Sequence, residues 1–306
     1  MKLPVASHGE FNPRTRLKIS TDISCLLFLM FKFLSKLRAT LFPEDLPPQE
    51  MTHEHKSFLL DTVSFYRSLS PDEKTLFETR CLSFIQDTEF IGHDLEVSDE
   101  DRLLVACGSV ILAWGFSQWH YVKVDTVILV SRSFNQNSEF NQTDSNITGL
   151  VGTHHLRGKM ILCQPALHQG FSNDNDKRNV AIHEFAHLID MADGDIDGLP
   201  RQIFEHSFSI PWLDLVKKKM QDINHNKSDI RDYGATNNAE FFSVSSEYFF
   251  EKPKLLKRKH PELYKNLESF YKQNRADVQQ STHVRKKAPC PCGSGKRYKR
   301  CCLINN

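Results

Sequence analysis

His183-Glu184-Phe185-Ala186-His187 places two histidines four residues apart with a glutamate beside the first. On a helix, positions i and i+4 share a face, so both imidazoles can bind one metal ion. Glu184 lies about 100° round the helix from His183, as 3.6 residues per turn requires. It can face a water on that metal without ligating it. Zinc with two histidines, one further ligand and an open water position is a hydrolytic site. Ile182, Phe185, Ala186, Leu188 and Ile189 make the rest of this helix apolar, so it is a buried helix. Burying two histidines and a glutamate without a partner is costly, and a metal removes that cost.

A third ligand must come from elsewhere. Residues 233–250 read as a loop running into a second apolar helix, capped by Asn237 or Asn238 and limited by Pro253. Glu240 sits in its first turn, where the helix dipole favours a carboxylate. Glu247 lies seven residues on, and spacing alone leaves both as candidates. Asp190, near one turn beyond His187, reads equally as a carboxylate that orients a histidine or as a helix-end acid.

These stretches carry a resemblance. His183 to His187, Asp190-Met191-Ala192-Asp193-Gly194, Tyr233-Gly234-Ala235-Thr236-Asn237, Ala239-Glu240-Phe241-Phe242 and Ser246-Glu247-Tyr248-Phe249-Phe250 together resemble the Mlc titration factor A family. These are zinc-dependent peptidases related to the catalytic domain of anthrax lethal factor. The resemblance implies that His183, His187 and Glu240 bind zinc. It implies that Glu184 is the general base and acid, and that Tyr233 stabilises the oxyanion. Asn238 stands where the family usually has Pro, and Gln164 where many members have Trp. The family also implies a rival reading: a regulatory binding protein that sequesters a transcriptional repressor, with a mainly structural zinc.

A hydrophobic content of 40% and a charged content of 25% over 306 residues match a folded globular chain and exclude a disordered one. The net charge of +1 hides an asymmetry. Residues after Asp277 carry seven Lys and Arg and no acid, while the rest of the chain is net acidic. Such a tail suits an acidic partner, a ribosome or a protein face. Cys25, Cys81, Cys107 and Cys163 are scattered in apolar surroundings and read as buried free thiols. That usage fits a reducing, cytoplasmic compartment. The apolar run 25–31 is too short to span a bilayer. Ile23, Leu26, Leu27, Met30, Phe31, Leu34, Leu37 and Leu41 form a helical stripe, placing an amphipathic helix in a 1–41 extension.

The supporting elements follow from capping and periodicity. A helix is predicted over 52–69. Ser70-Pro71-Asp72-Glu73 starts another, which carries Leu76, Phe77, Cys81, Phe84 and Ile85 inward. Ser98-Asp99-Glu100-Asp101 opens a third, nearly all apolar and central to the core. Strands are predicted at 90–97, 122–130 and 159–164, and a polar loop at 133–148. In the related peptidases, a strand at the 159–164 position is the sheet edge along which an extended substrate lies. The acidic stretch 193–198 reads as a turn rather than a calcium loop, because it lacks the closing Glu. Helices close the body at 211–223 and 261–273.

The tail holds a second motif. Cys290, Cys292, Cys301 and Cys302 fall within thirteen residues, with Gly293 and Gly295 between the pairs. Four thiolates suit one tetrahedral zinc. The stretch closely resembles the SEC-C motif, the zinc knuckle that ends the SecA translocase ATPase. It implies an adaptor touching a protein or ribosomal partner. The expected fold is α+β and zincin-like, with a helix-rich body, a small mixed sheet and a metal helix. The expected organisation is a 1–41 extension, a metallopeptidase domain at 42–275, a linker at 276–288 and a zinc knuckle at 289–303. The expected function is a cytoplasmic zinc metallopeptidase acting on peptide or protein substrates, an aminopeptidase or a narrow-specificity regulatory enzyme. It carries one catalytic and one structural zinc and no transmembrane segment. The polar linker predicts that the two metal sites fold independently.

Overall fold

The structure is a computed structural model that describes residues 50–116, 123–134, 147–152, 157–172, 176–200, 206–277, 287, 289–290 and 295–301, the side chains of 206–209 excepted. The N-terminal stripe, Cys25 and most of the 133–148 loop lie outside the described residues, as do Cys292 and Cys302. Among the described residues, no helix is long and apolar enough to cross a membrane.

The chain enters through α1 (His53–Thr62) and α2 (Ser64–Ser68), where a single predicted helix is broken at Val63. Val63 is extended and fully buried, so its side chain joins the core at the expense of helical continuity. Two capping boxes then operate as the sequence implies. Ser70 and Glu73 close the start of α3 (Pro71–Asp87), and Ser98 and Asp101 that of α4 (Asp99–Ala113). Phe77, Cys81 and Phe84 are buried on α3, but Leu76 is 46% exposed. It precedes Phe77 by one position, about 100° round the helix, and so leaves the inward stripe.

The strands form a four-stranded mixed sheet in the order β1-β2-β4-β3. Its strands are β1 (Glu89–His93), β2 (Thr126–Val130), β3 (Gly149–Val151) and β4 (Lys159–Cys163). The first two pairings are parallel, and β3 runs antiparallel to β4. The strand expected at the edge, β4, is therefore interior. The edge beside the metal helix is β3, which has one neighbour among the described residues. Val127 and Leu129 of β2 and Met160 and Leu162 of β4 point into the main core. Val130, Phe134 and Cys163 form a smaller cluster apart from it.

Helix α5 (Gln164–Ser172) follows β4 directly, and α6 (Val180–Asp190) carries the histidine pair. The α4 and α6 axes approach closely because Gly108 has no side chain. A Cβ there would stand 2.6 Å from the Ala181 Cβ. After α7 (His206–Asn224) come a short 3-10 turn (Asp232–Ala235) and α8 (Asn238–Glu251). The helices α9 (Pro253–Lys259) and α10 (Pro261–Tyr271) complete the body. Helix α8 is buried along nearly its whole length, with Phe242 and Phe249 packed on Tyr271. Cys81, Cys107 and Cys163 are buried free thiols.

The tail departs from the expectation of independence. Cys290 and Cys301 are buried and join the main core cluster, with Tyr298 packed against it. His53 Nε2 on α1 lies 3.1 Å from Cys301 Sγ, and the Tyr298 hydroxyl donates to Asp61 Oδ1 at 3.3 Å. Pro289 and Arg297 form an antiparallel bridge. Tyr298 and Cys301 are thus seated against α1. Removing the chain beyond Asp277 is therefore expected to uncover part of α1 and to cost about 1–2 kcal/mol. Differential scanning calorimetry should show Tm falling by roughly 2–8 °C.

Candidate metal centre

The α6 helix begins at Asn179, whose side chain accepts from the Ile182 backbone N–H at 3.2 Å. From there His183 and His187 reach the same side, with their Nε2 atoms 3.2 Å apart. Helix α8 is capped in the same way by Asn237, which accepts from the Glu240 N–H at 2.9 Å. That cap sets Glu240 in the first turn and aims its carboxylate at the histidines. Glu240 Oε2 stands 3.1 Å from His183 Nε2 and 3.4 Å from His187 Nε2. The three residues form the one cluster among the described residues that can hold a metal ion. The donor set fits such an ion. Ligands at about 2.0–2.1 Å in tetrahedral array stand roughly 3.3 Å from one another, which is the spacing seen. Two imidazole nitrogens facing each other and a carboxylate need a shared cation between them.

Glu247 has a different place from Glu240. It is 2% exposed and grips the far side of the same ring, where His183 Nδ1 donates to its Oε1 at 2.8 Å. Its Oε2 accepts from the Asn179 backbone N–H at 2.7 Å, and Arg231 Nη2 also donates to Oε1. This leaves Nε2 of His183 turned to the metal position. The carboxylate that orients a histidine is thus Glu247. Asp190 instead accepts from the Gly198 N–H at 2.9 Å and has no hydrogen bond to His187. It is a helix-end acid that holds the 193–198 turn, and burial pushes its pKa up to about 6.

Glu184 is 4% exposed and lies against the edge strand. A Cβ on Gly149 of β3 would overlap Glu184 Oε1, so the missing side chain is what gives the carboxylate its place. Burial raises the Glu184 pKa, and the nearby histidines oppose that rise. Tyr233, in the 3-10 turn, is 51% exposed and donates to Glu240 Oε1 at 3.1 Å. Burial of its hydroxyl and the Glu240 charge both raise its pKa, so it stays a proton donor. Asp229 anchors the segment leading to this turn. It accepts from Lys177 Nζ at 2.7 Å, His260 Nε2 at 2.8 Å and the Tyr248 hydroxyl at 2.8 Å.

The cluster sits between two depressions. A cavity of about 330 Å³ opens on the Glu184 side, between β3 and α5, and includes Tyr233, Arg178 and Arg231 in its wall. A shallower one opens on the other side along Ile196, Asn237 and Asn238. Gln164, at the start of α5, bonds to Asp101 at 2.8 Å and takes no part in the first cavity. Sequence reasoning missed Arg231 and Gly149. A buried Glu247 demands a cation, and that requirement was the signal for Arg231. The reason for Gly149 exists only in three dimensions.

Comparison with known proteins comes to the same place. Residues 37–272 match the model of the glucose-regulated metallo-peptidase M90 family. The chain belongs to this family. Residues 287–303 match the SEC-C motif. An uncharacterised protein of Synechocystis sp. is 31% identical over 243 residues, covering 76% of this chain and 86% of that protein. Mlc titration factor A of Escherichia fergusonii is 36% identical over 103 residues, 31% of this chain and 38% of that protein. The Salmonella arizonae protein of the same name is 35% identical over 103 residues, 31% of this chain and 41% of its own length. The chain therefore spans less than half the length of the Mlc titration factor A relatives it matches.

The two glutamates of α8 are expected to differ in kind. Glu240→Ala removes a donor atom and should abolish tight metal binding. Glu247→Gln keeps all three donors but loosens His183, and should weaken binding about 10–100-fold. Competition against a graded chelator series separates these outcomes. Affinity should also climb with pH. Burial lowers the His183 pKa, but Glu247 and Glu240 outweigh it and carry the value in the metal-free protein to about 10. Below that pH a proton must leave as the metal enters, so affinity should rise about tenfold per pH unit between pH 6 and 8.

Proposed function

We propose that this protein is a zinc-dependent peptidase whose metal is held by His183, His187 and Glu240. The observation that carries the reading is the convergence of these three donors beside a buried glutamate that is not among them. A site built only to hold a metal has no use for Glu184, whereas a hydrolytic one requires it. Held by these residues, zinc would supply Lewis acidity towards a peptide carbonyl and a water.

The protein's own groups do the rest. Glu184 takes the proton of the attacking water and delivers it to the leaving amine. Its raised pKa suits the first half of that role, since a carboxylate at its ordinary value is a weaker base and takes the proton from water less readily. Tyr233 leaves Glu240 and donates to the oxyanion as charge develops. Its exposure gives it the freedom to turn. Glu247 and Arg231 keep the His183 ring in one orientation while this happens. The open side of β3 is available to pair with the backbone of an extended substrate.

The relatives named Mlc titration factor A support a second, compatible role. By that likeness, this chain also engages a transcriptional repressor of the Mlc type, with the basic knuckle contributing a further contact to an acidic protein or ribosomal partner. The free thiols at 81, 107 and 163 support a cytoplasmic setting. A second zinc in the knuckle, on Cys290, Cys292, Cys301 and Cys302, completes the reading. An aminopeptidase or narrow-specificity regulatory activity fits a site recessed between two depressions.

Glu184→Gln is expected to retain the catalytic metal and lose at least about 10²-fold in turnover. Tyr233→Phe should lower kcat by roughly 10²–10³-fold with little change in metal content. Peptide hydrolysis by either variant at the wild-type rate would remove that residue from the mechanism. Elemental analysis should find two zinc ions in the full chain and one after truncation at Asp277. A single ion in the full chain would leave one of the two motifs without its metal.

A further inference from the structure

The cavity on the Glu184 side has a charge character that the hydrolytic reaction does not use. Its wall combines apolar surface from Ile147, Ala166 and Val180 with two guanidinium groups, Arg178 and Arg231. Two carboxylates, Glu184 and Glu247, share the same wall. Glu247 is fully engaged: both its oxygens accept, from His183, Arg231 and the Asn179 backbone. Glu184 lies beside the edge strand, next to the metal position.

Of the two cations, Arg178 is not similarly used up. Arg178 is exposed at the cavity, directly before the cap of α6, and its backbone N–H is tied to Asp176 at 3.0 Å. No carboxylate pairs with its guanidinium among the described residues. The neighbouring cation, Lys177, is by contrast consumed by Asp229 at 2.7 Å. Arg231 spends Nη2 on Glu247, and its Nε is buried out of reach of solvent. The cavity thus offers one exposed guanidinium that no carboxylate pairs among the described residues, on the same wall as Glu184.

We propose that Arg178 binds a substrate carboxylate in this cavity and sets the specificity of the peptidase. The inference rests on the peptidase reading given above. A carboxylate is the group that matches a guanidinium fork in shape and charge. It comes from an Asp or Glu side chain beside the scissile bond or from the C-terminus of a short peptide. An amide of the same shape leaves the guanidinium desolvated and unpaired, which is why the discrimination should be large. The apolar walls accommodate the methylene stem and keep water from competing.

The test uses the full-length zinc-loaded protein and a set of synthetic peptides. In one arm Glu, Gln or Lys is walked through the positions flanking the cleaved bond. In the other the C-terminus is free or amidated, so the two sources of a carboxylate are told apart. The wild type should show kcat/KM at least about tenfold higher for the carboxylate peptide than for its amide partner. Arg178→Ala should bring that ratio close to one, Arg178→Lys should restore part of it, and Arg178→Glu should turn the preference towards Lys. Dissociation constants of the same labelled peptides on Glu184→Gln, with and without Arg178→Ala, give a second readout that needs no turnover. Hydrolysis with a ratio near one in the wild type overturns the carboxylate site and leaves the peptidase intact. Absence of hydrolysis, with carboxylate-selective binding that Arg178→Ala removes, overturns the peptidase reading and keeps the site. Binding that ignores the carboxylate, or no binding at all, overturns the proposal.

Discussion

A buried carboxylate holds this site together. Glu247 sits in the middle of α8, shielded from solvent, and accepts from His183, the Asn179 backbone and Arg231. An isolated charge at that depth would be strongly unfavourable, so its partners are obligatory. Each partner belongs to a different stretch. The first lies on the metal helix, the second at its cap and the third on the segment that leads into Tyr233. One buried charge therefore fixes the orientation of a ring, the start of a helix and the course of a loop. Breaking it by removing one partner leaves the other groups uncompensated.

The same arrangement explains why α8 supplies two glutamates seven residues apart. Seven residues is close to two helical turns, so both carboxylates emerge on one face. They reach the same imidazole from opposite ring nitrogens, Glu240 at Nε2 and Glu247 at Nδ1. What differs is depth. Glu240 stands at the helix end beside the shallower cavity, and Glu247 two turns further in, 2% exposed at the back of the other. Periodicity alone cannot tell them apart, since it reports direction around the helix and not distance from solvent.

Much of the fold was legible for the same reason that this distinction was not. Capping boxes at Ser70 and Ser98 are local chemistry, and both operate. The histidine pair is a local spacing on an apolar helix. The illegible parts depend on contacts remote in sequence. Strand β3 has three residues, too few for an alternating pattern, and exists because β4 offers it an edge. The interruption of the first helix at Val63 answers to burial, not to a breaker residue. The seat of Cys301 on α1 joins it to His53 across most of the chain. The role of Asp190 turned on whether an acceptor faced His187 or the 193–198 turn, which spacing leaves open.

Gly149 carries a consequence for heredity. It has no side chain to react, bind or donate, yet the space where one would begin is filled by Glu184. Any amino acid other than glycine introduced at that codon would push the carboxylate aside without altering a single reacting group. A saturation screen scored on function would rank this position with the histidines. The positions on which the site depends are thus wider than the set of groups that handle protons and metal, and they include one that serves by its emptiness.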